Sequence, residues 1–348
     1  MALAKTGSPW WDKGRHTDRR AALLSRGRIK KAVRAWFEAR DFTEVECGAL
    51  AVSPGNEAHL AAFATQRVAL DGSRRALYLH TSPEFAAKKL LAAGESRLFD
   101  FARVFRNREA GPLHAAEFTM LEWYRAREPY EAVIADTLEI VRLAADTAQA
   151  ELFAWHGREC DPRAMPERLT VAEAFARHAG IDLLATLSEK GEGLRDRLSE
   201  HAGRAGFEVA ANDNWADIFS KVLVMIEPKL GSGRPTVLSE YPRCEAALAR
   251  AAGRDPRVAE RFELYVCGVE LANGFGELTD AAEQRARFEA EEAERERVYG
   301  ERYPIDEEFL AALTRMPPAA GVALGFDRLV MLAAGARCLD DVLWTPAP

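Results

Sequence analysis

The stretch FRNREAGPLHAAEFTMLEWYRA, residues 105–126, has the pattern of a β-hairpin with a long connecting loop. Residues 97–107 form the first predicted strand, and residues 117–126 form the return strand. Because successive side chains of a strand point to opposite faces, one face of the return strand carries a mixed set of groups. That set is Phe118, Met120, Glu122 and Tyr124. A carboxylate and a phenol beside an aromatic ring are unusual in a core, so this face either lines a polar site or is exposed to solvent.

The order of elements around this hairpin predicts an α+β fold. Strands that return as hairpins, with helices in separate stretches, indicate an antiparallel β-sheet flanked by helices. A further strand region is predicted over 261–275. Helices are predicted over 17–40, 84–93, 130–155, 169–206, 215–227, 243–252, 279–300 and 307–315. Since no Pro-, Gly- or Ser-rich linker divides the chain, we expect a single domain over 15–345 with a helical insertion at about 156–240.

The composition argues against several classes of protein. The 348 residues carry a formal net charge of −7, which disfavours nucleic-acid binding through a generally basic surface. The five cysteines are far apart, and the seven histidines show no HxxxH or HExxH spacing, so neither a disulfide framework nor a zinc site is predicted. The N-terminal region lacks an apolar segment, and no run reaches about 18 apolar residues. We therefore expect a cytoplasmic protein that does not enter a membrane.

A second informative stretch is GVALGFDRL, residues 321–329, where a short apolar strand leads into a helix. Its two glycines, Gly321 and Gly325, allow a backbone to approach a ligand closely. Arg328 is predicted in the first turn of the helix, where the helix dipole disfavours a cation. A ligand ring or phosphate would justify that position, although an ordinary surface arginine explains the pattern equally well.

The third stretch, GVELANGFGEL at 268–278, places acidic groups in an apolar strand region. Glu263, Glu270 and Glu277 are spaced seven residues apart, so neighbouring members of the series point to opposite faces of a regular strand. A bulge at Gly268 would bring Glu263 and Glu270 to one face. Converging carboxylates need cations, and Mg²⁺ and an amine are the natural ones. The alternative is that all three are exposed and unrelated.

Taken together, these segments resemble the signature motifs of the class II aminoacyl-tRNA synthetases, and most closely those of the lysyl branch. Residues 105–126 resemble motif 2, GVALGFDRLVML resembles motif 3, and ARDFTEVECGALAVSPG (39–55) resembles motif 1, which usually forms a dimer interface. HTSPEF (80–85) and GVELANGFGELTD (268–280) resemble two further segments of the lysyl-enzyme substrate pocket. The similarity extends over about 15–345 and implies a class II catalytic core that forms a homodimer.

Because motif 1, counted with its helix, begins near residue 26, we expect no anticodon-binding OB domain. The chain therefore resembles the elongation factor P lysine ligases, truncated relatives of lysyl-tRNA synthetase that activate (R)-β-lysine or lysine with ATP and transfer it to a lysine side chain of elongation factor P. Ala323 replaces the middle glycine of the synthetase motif 3, and a methyl group in a tight pocket discriminates substrates by about 1–3 kcal/mol. The alternatives are an enzyme that still charges tRNA, one that uses another amine acceptor, and an inactive scaffold.

The resemblance also implies roles for individual residues, with ATP and Mg²⁺ as cofactors. Arg106 and Arg328 would be catalytic, and Arg106 would bridge the substrate carboxylate and the α-phosphate. ATP would contact Arg106, Asn107, Arg108, His114, Ala115, Phe118, Glu270, Leu271, Gly325 and Arg328. The amino acid would contact Ser82, Pro83, Glu84, Glu122, Tyr124, Asn273 and Glu277. Mg²⁺ would bind to Glu263 and Glu270. The motif 2 loop departs from the family pattern, because Arg108 occupies the place of a glutamate, and Ala115 and Ala116 occupy those of Asn and Pro.

Overall fold

The computed structural model describes residues 8–246 and 248–347. Its helices are α1 (Lys13–Glu38), α2 (Glu84–Ala93), α3 (Tyr130–Ala148), α4 (Val171–Ala179), α5 (Arg195–Arg204), α6 (Trp215–Ile226), α7 (Ala281–Tyr299), α8 (Glu307–Leu313) and α9 (Phe326–Ala333). Its strands are β1 (Thr43–Glu44), β2 (Leu50–Ala51), β3 (Phe63–Val68), β4 (Arg74–Leu79), β5 (Arg97–Phe105), β6 (Glu117–Ala126), β7 (Phe153–Trp155), β8 (Arg158–Cys160), β9 (Glu167–Thr170), β10 (Thr236–Ser239), β11 (Ala251–Ala252), β12 (Asp255–Ala259), β13 (Arg261–Val266), β14 (Val269–Gly276) and β15 (Ala319–Gly325).

The centre of the fold is an eight-stranded sheet with the order β1-β5-β6-β15-β14-β13-β10-β9. The pairs from β5 to β10 are antiparallel, whereas β1 pairs with β5 and β9 pairs with β10 in parallel. The predicted α+β class with a mainly antiparallel sheet is therefore confirmed. The fold was predicted from the hairpin of β5 and β6. Its last pair before the long connecting loop is Phe105 with Glu117.

The two faces of this sheet are covered differently, and the difference creates space for a site. One face packs against α1, α3 and α9, where Phe37, Val141 and Leu329 join Leu121 and Trp123 of β6 in the main core. The other face is covered by α2, α7 and α8 at one end. Because β6 alternates, the Glu122 and Tyr124 side chains leave the main core and point to this second, incompletely covered face.

The hairpin formed by β13 and β14 corrects the prediction about Gly268. Cys267 and Gly268 form a two-residue turn with φ angles of 55° and 74°, a geometry in which glycine is favoured. The pairing register shifts by one residue beyond this turn, because Tyr265 pairs with Glu270 while Leu264 pairs with Ala272. The extra residue is therefore at position 271, and chain reversal together with this bulge brings Glu263 and Glu270 to one face.

Several predicted helices have different bounds or a different structure. The predicted helix over 130–155 ends at Ala148, and β7 follows it. The prediction of a helix over 243–252 is wrong, because the described residues of this stretch form a short 3₁₀ turn at 243–245 and the strand β11 from Ala251. The region at about 156–240 contains α4, α5 and α6 around their own apolar core. Its strands β9 and β10, however, belong to the main sheet.

Among the described residues, no helix combines the length and the apolar character that a membrane crossing requires.

Candidate active site

The polar face of β6 lines a cavity of about 320 Å³, which also contacts β14, β15 and the start of α9. Most of the predicted site residues line it, namely Ser82, Glu84, Arg106, His114, Ala115, Phe118, Glu122, Tyr124, Glu263, Glu270, Leu271, Asn273, Glu277, Gly325 and Arg328. The β5–β6 hairpin, the motif 3 strand β15 and the strand β14, which carries Glu270, therefore line the same cavity. Of the two interpretations that the β6 pattern left open, a polar site is the one that agrees with the fold.

Arg328 is held rigidly at one end of the cavity. Its Nε donates a hydrogen bond to the backbone oxygen of Leu113 at 3.1 Å, and its Nη1 donates to the backbone oxygen of Glu270 at 2.8 Å. Its Nη2 lies 3.1 Å from the His114 ring nitrogen. Burial and the Arg328 charge lower the pKa of His114, which favours a neutral ring. These contacts fix the plane of the guanidinium where it lines the cavity.

Arg106 approaches the same cavity from the end of β5. Its Nε donates to the backbone oxygen of Thr81 at 3.3 Å, and its guanidinium carbon lies 5.4 Å from the centre of the Phe118 ring. An arginine over an aromatic face is held there by the ring quadrupole. Two guanidinium groups and one aromatic ring are therefore available to a nucleotide in a single pocket.

Three of the predicted contacts do not line this cavity. Asn107 forms an isolated bridge with Ala61, and its side chain accepts a hydrogen bond from the next backbone amide. Arg108 has a φ of 60°, and its guanidinium lies 5.5 Å from the ring centre of Tyr299 on α7. Glu109, the residue that follows, lines the cavity in its place. Pro83, the third, lines a separate and larger cavity next to this one.

A pair of carboxylates, Glu263 and Glu270, faces the cavity from the β13–β14 hairpin. Both oxygens of Glu263 accept hydrogen bonds, one from Arg261 at 2.7 Å and the other from the Tyr265 hydroxyl at 2.6 Å. Burial and the Glu263 charge raise the pKa of Glu270 to about 7, because together they outweigh the Arg328 guanidinium, which lies 3.7 Å from a Glu270 oxygen. Within the described residues, no three His, Cys, Asp or Glu side chains come together as a metal cluster. Two carboxylates nevertheless suit Mg²⁺, which usually takes one or two from the protein and further oxygens from substrate phosphates.

The opposite end of the cavity is organised around Glu122. The Ser82 hydroxyl donates to one of its oxygens at 2.6 Å, and the Tyr124 hydroxyl donates to the other at 2.7 Å. Glu122 is only 1% exposed, and burial together with the nearby Glu84 charge raises its pKa to about 8. Ser82 also accepts a hydrogen bond from the Glu84 amide, which links the start of α2 to this carboxylate. An ammonium group is the cation that this geometry favours.

Beside Glu122 lies a buried ion triad that the sequence did not predict. The Lys88 ammonium is 2.5 Å from Glu84 and 2.6 Å from Glu277, and both Lys88 and Glu277 are 1% exposed. Burial is the main influence on Glu277 and raises its pKa to about 7, although Lys88 acts in the opposite direction. The two carboxylates together raise the pKa of Lys88. This end of the cavity therefore combines three carboxylates with one internal cation.

Two further features belong to this end of the cavity, which we call the amine end and define by Glu84, Glu122, Glu277 and Lys88. Asn273 stands between Glu263 and Ala323 in the sheet, and its buried Oδ1 has no hydrogen-bond partner among the residues described. Gly321 is opposite Tyr124, and a Cβ at this position would collide with the Tyr124 ring and with a Glu277 oxygen. The first glycine of GVALG is thus required by the side chains that pack against it. Ala323 lines the cavity opposite Glu122, as a substrate-facing methyl group requires.

Five polar residues at this site were missed in the sequence, namely Glu57, Lys88, Glu109, Arg261 and Asp327. A signal existed for Lys88, because it follows Glu84 by four residues on a predicted helix, the spacing of a side-chain ion pair. Arg261 alternates with Glu263 on a strand and therefore shares its face. Glu57 lies in an irregular segment, for which neither strand nor helix periodicity gives a direction.

Comparisons with known proteins agree with this geometry. The family of tRNA synthetases class II (D, K and N) matches residues 5–347. A protein of Avibacterium paragallinarum named elongation factor P--(R)-beta-lysine ligase is 39% identical over 324 residues, which cover 92% of this chain and 94% of that protein. Proteins with the same name from Proteus mirabilis and Sodalis glossinidius are 39% and 40% identical, with coverage of 93% or more of each chain. The chain described here belongs to the class II tRNA synthetase family.

Proposed function

We propose that this chain is an ATP-dependent ligase that activates (R)-β-lysine or lysine and transfers it to a lysine side chain of elongation factor P. One observation carries the proposal: a single cavity has two guanidinium groups at one end and three carboxylates at the other, of which Glu122 and Glu277 are buried. The first end suits a nucleotide and a carboxylate, and the second suits a substrate with amines. The names of the relatives support the choice of amino acid and of acceptor.

In the first step, a carboxylate oxygen of the amino acid attacks the α-phosphorus of ATP, and pyrophosphate leaves. The product is an aminoacyl-adenylate. Both reactants are anionic, so the protein contributes mainly alignment and neutralisation of charge. Arg106 is positioned to bridge the amino-acid carboxylate and the α-phosphate. Phe118 and Arg328 provide a ring face and a planar cation for the adenine and its neighbouring phosphates.

Mg²⁺ is proposed at Glu263 and Glu270. When bound, the ion would neutralise phosphate charge near the departing pyrophosphate. The raised pKa of Glu270 supports this assignment, because a carboxylate without enough positive neighbours is stabilised by a cation. The fixed orientation of Glu263, with one hydrogen bond to each oxygen, keeps that carboxylate directed towards its partner.

The amine groups of the substrate are proposed to bind at the opposite end. Glu122 offers an oxygen pair already oriented by Ser82 and Tyr124, and Glu84 and Glu277 provide the further negative charges. The unpaired Oδ1 of Asn273 accepts a hydrogen bond from a substrate N–H. A substrate without these amines would leave several buried polar groups unsatisfied, which gives strong discrimination.

In the second step, the amine of the acceptor lysine attacks the acyl carbonyl carbon of the adenylate. An amide bond forms, AMP leaves, and the acceptor nitrogen loses a proton. Transfer to a protein amine rather than to a tRNA hydroxyl, function as a homodimer and a location in the cytoplasm all belong to this proposal.

The experiment that tests the proposal has two parts. Purified protein is first assayed for ATP–pyrophosphate exchange with lysine, (R)-β-lysine and, as a control, leucine. We expect exchange with the basic amino acids alone, and no exchange with any of them would overturn the proposal. The activated amino acid, carrying a label, is then offered to elongation factor P and to tRNA in parallel. Label on the protein supports the ligase, whereas label on tRNA alone favours the tRNA-charging alternative.

A further inference from the structure

Lys88 is a buried cation at the centre of the amine end, yet the mechanism given above does not use it. Its side chain is 1% exposed, so it cannot leave the site without a rearrangement of α2. The ammonium group lies within 2.6 Å of both Glu84 and Glu277, two of the carboxylates assigned to substrate amines. A protein rarely buries a lysine unless the cation is paired and has a definite task.

The charged groups that face this triad come from several elements. Glu84 belongs to α2, Glu277 follows β14, and Glu122 lies on β6 close enough for the Glu84 charge to raise its pKa. Tyr124, also on β6, stays neutral because burial and these carboxylates raise its pKa well above the usual range. Arg250 faces Glu277 as well, but its guanidinium is 2.5 Å from Glu260 and is already paired. Asp100 acts on Glu122 from β5, and its carboxylate accepts a hydrogen bond from the Cys47 amide. Glu57 acts on Glu84, but it also faces Arg106 and Arg261, so we count it with the arginines.

The charge count of this end is informative. Glu84, Glu122 and Glu277 contribute three negative charges when they are ionised, and Lys88 contributes one positive charge. The remainder is two negative charges, and lysine and β-lysine each carry two ammonium groups. A buried site that matches the charge of its ligand avoids the large penalty of an uncompensated ion.

We propose that Lys88 determines specificity for a diamino acid, because it limits the charge of the amine end to two negative units when all three carboxylates are ionised in the complex. The inference rests on the proposed function, because it assumes that the ligand is a lysine isomer. Lys88 acts through Glu84 and Glu277 and is a positioning residue, not a catalytic one. Without the cation, the two carboxylates repel each other in a dry site, and Glu277 takes up a proton. A protonated Glu277 no longer offers a full charge to a substrate ammonium.

The test begins with Lys88→Met, which preserves the length of the side chain and removes its charge. We expect the KM for lysine in pyrophosphate exchange at pH 7 to rise about tenfold or more, because binding must now remove the proton from Glu277. The kcat should change much less, since Lys88 does not contact Arg106. The ratio of variant KM to parent KM should shrink as the pH is raised from 6.5 to 8.5. A structural defect alone would not give this pH dependence.

The neighbouring Lys89 supplies a matched control. Its ammonium pairs with Asp306 at 2.7 Å, it is partly exposed, and it does not line the catalytic cavity. Lys89→Met should leave the lysine KM unchanged within about twofold, as for other surface ion pairs. An equal effect from both variants would show that the site is insensitive to the position of the charge, and the inference would be wrong.

A second variant keeps the inference testable if Lys88→Met fails to fold. Lys88→Met/Glu277→Gln removes one charge of each sign and restores two negative units. The double variant should therefore bind lysine more tightly than Glu277→Gln alone, so that the two losses are not additive. Additive losses, or an unchanged KM in folded Lys88→Met, would overturn the inference. Failure of the parent protein to exchange pyrophosphate with any basic amino acid would instead reject the proposed function.

Discussion

The end of the cavity at Arg106 and Arg328 differs from the end at Glu122 and Glu277 in how its charge is maintained. Guanidinium groups as a class keep their charge in proteins, and backbone oxygens orient these two at 2.8–3.3 Å. The carboxylates are buried beside one another, and the pKa values of Glu122 and Glu277 are raised to about 8 and about 7. The two cations of one end are therefore fixed, whereas the charge of the carboxylates at the other end depends on their neighbours and on the ligand.

This difference separates two tasks. A permanent, rigid cation pair is suited to ATP, which is the same for every enzyme of this kind. A conditional cluster of carboxylates discriminates between substrates, because a ligand without the correct amines leaves buried groups unpaired. Changes at the arginine end should therefore abolish activation of all amino acids. Changes at the amine end should alter which amino acid is activated and the pH at which it is activated.

The largest effect is expected from Arg106→Lys, which keeps the charge and loses the planar fork. We predict that kcat/KM for pyrophosphate exchange falls roughly 100-fold to 1,000-fold, the range for removal of one donor to a developing charge. The loss should be similar with lysine and with β-lysine. Arg103→Lys is a suitable control, since Arg103 is on β5 three residues before Arg106, is half-exposed, and lies 3.6 Å from Glu117. A normal rate for Arg106→Lys would remove the arginine end from the mechanism.

The two ends also differ in how far the sequence revealed them. The motif segments predicted the fold class, the hairpin and most residues of the cavity, because alternation along β6 gives a direction to each side chain. The same reasoning placed the needed irregularity at Gly268, whereas the structure uses a turn there and a bulge at Leu271. Chain reversal and register are tertiary properties, which spacing along one strand does not specify.

The motif 2 loop and the buried triad were less accessible to sequence analysis. Asn107 and Arg108 were expected in the cavity from their position in the motif, but a left-handed backbone at Arg108 directs that side chain to α7 instead. Lys88 was overlooked because a lysine on an amphipathic helix is usually solvated. Only the packing of α2 under Glu277 makes it a buried cation. Pairings across distant segments carry no local signal in the sequence.

A second, smaller effect should come from Gly321→Ala. The new methyl group would collide with the Tyr124 ring and the Glu277 carboxylate, so the amine end must shift. We predict a loss of about 1–3 kcal/mol in the free energy of unfolding, measured with denaturant. The KM for lysine should rise while the KM for ATP changes little. Gly27→Ala in α1 is the matched control, because nothing lies within 4 Å of its new methyl group and alanine favours a helix by about 1 kcal/mol.

If Gly321→Ala raises the KM values for ATP and lysine equally, the two ends are not independent and the comparison fails. An undiminished stability would show that the strand can move aside, contrary to the close packing of Gly321 against Tyr124 and Phe275. Either result would be informative about how rigidly β15 holds the cavity.

The last expected effect is a pH dependence of the lysine KM that originates at the amine end. In the unliganded protein the Glu122 carboxyl, with its pKa raised to about 8, is mostly protonated below that pH and must lose its proton to pair with an ammonium group. Binding of lysine should therefore release a proton, and its KM should fall by up to about tenfold per pH unit between pH 6 and pH 8. The slope should flatten above pH 8, where the carboxylate is already ionised. Glu122→Gln should have a higher KM and lack this part of the slope. A KM for lysine that stays constant from pH 6 to pH 8 in the parent protein would mean that Glu122 is ionised before the ligand arrives, and that the amine end is as permanently charged as the arginine end.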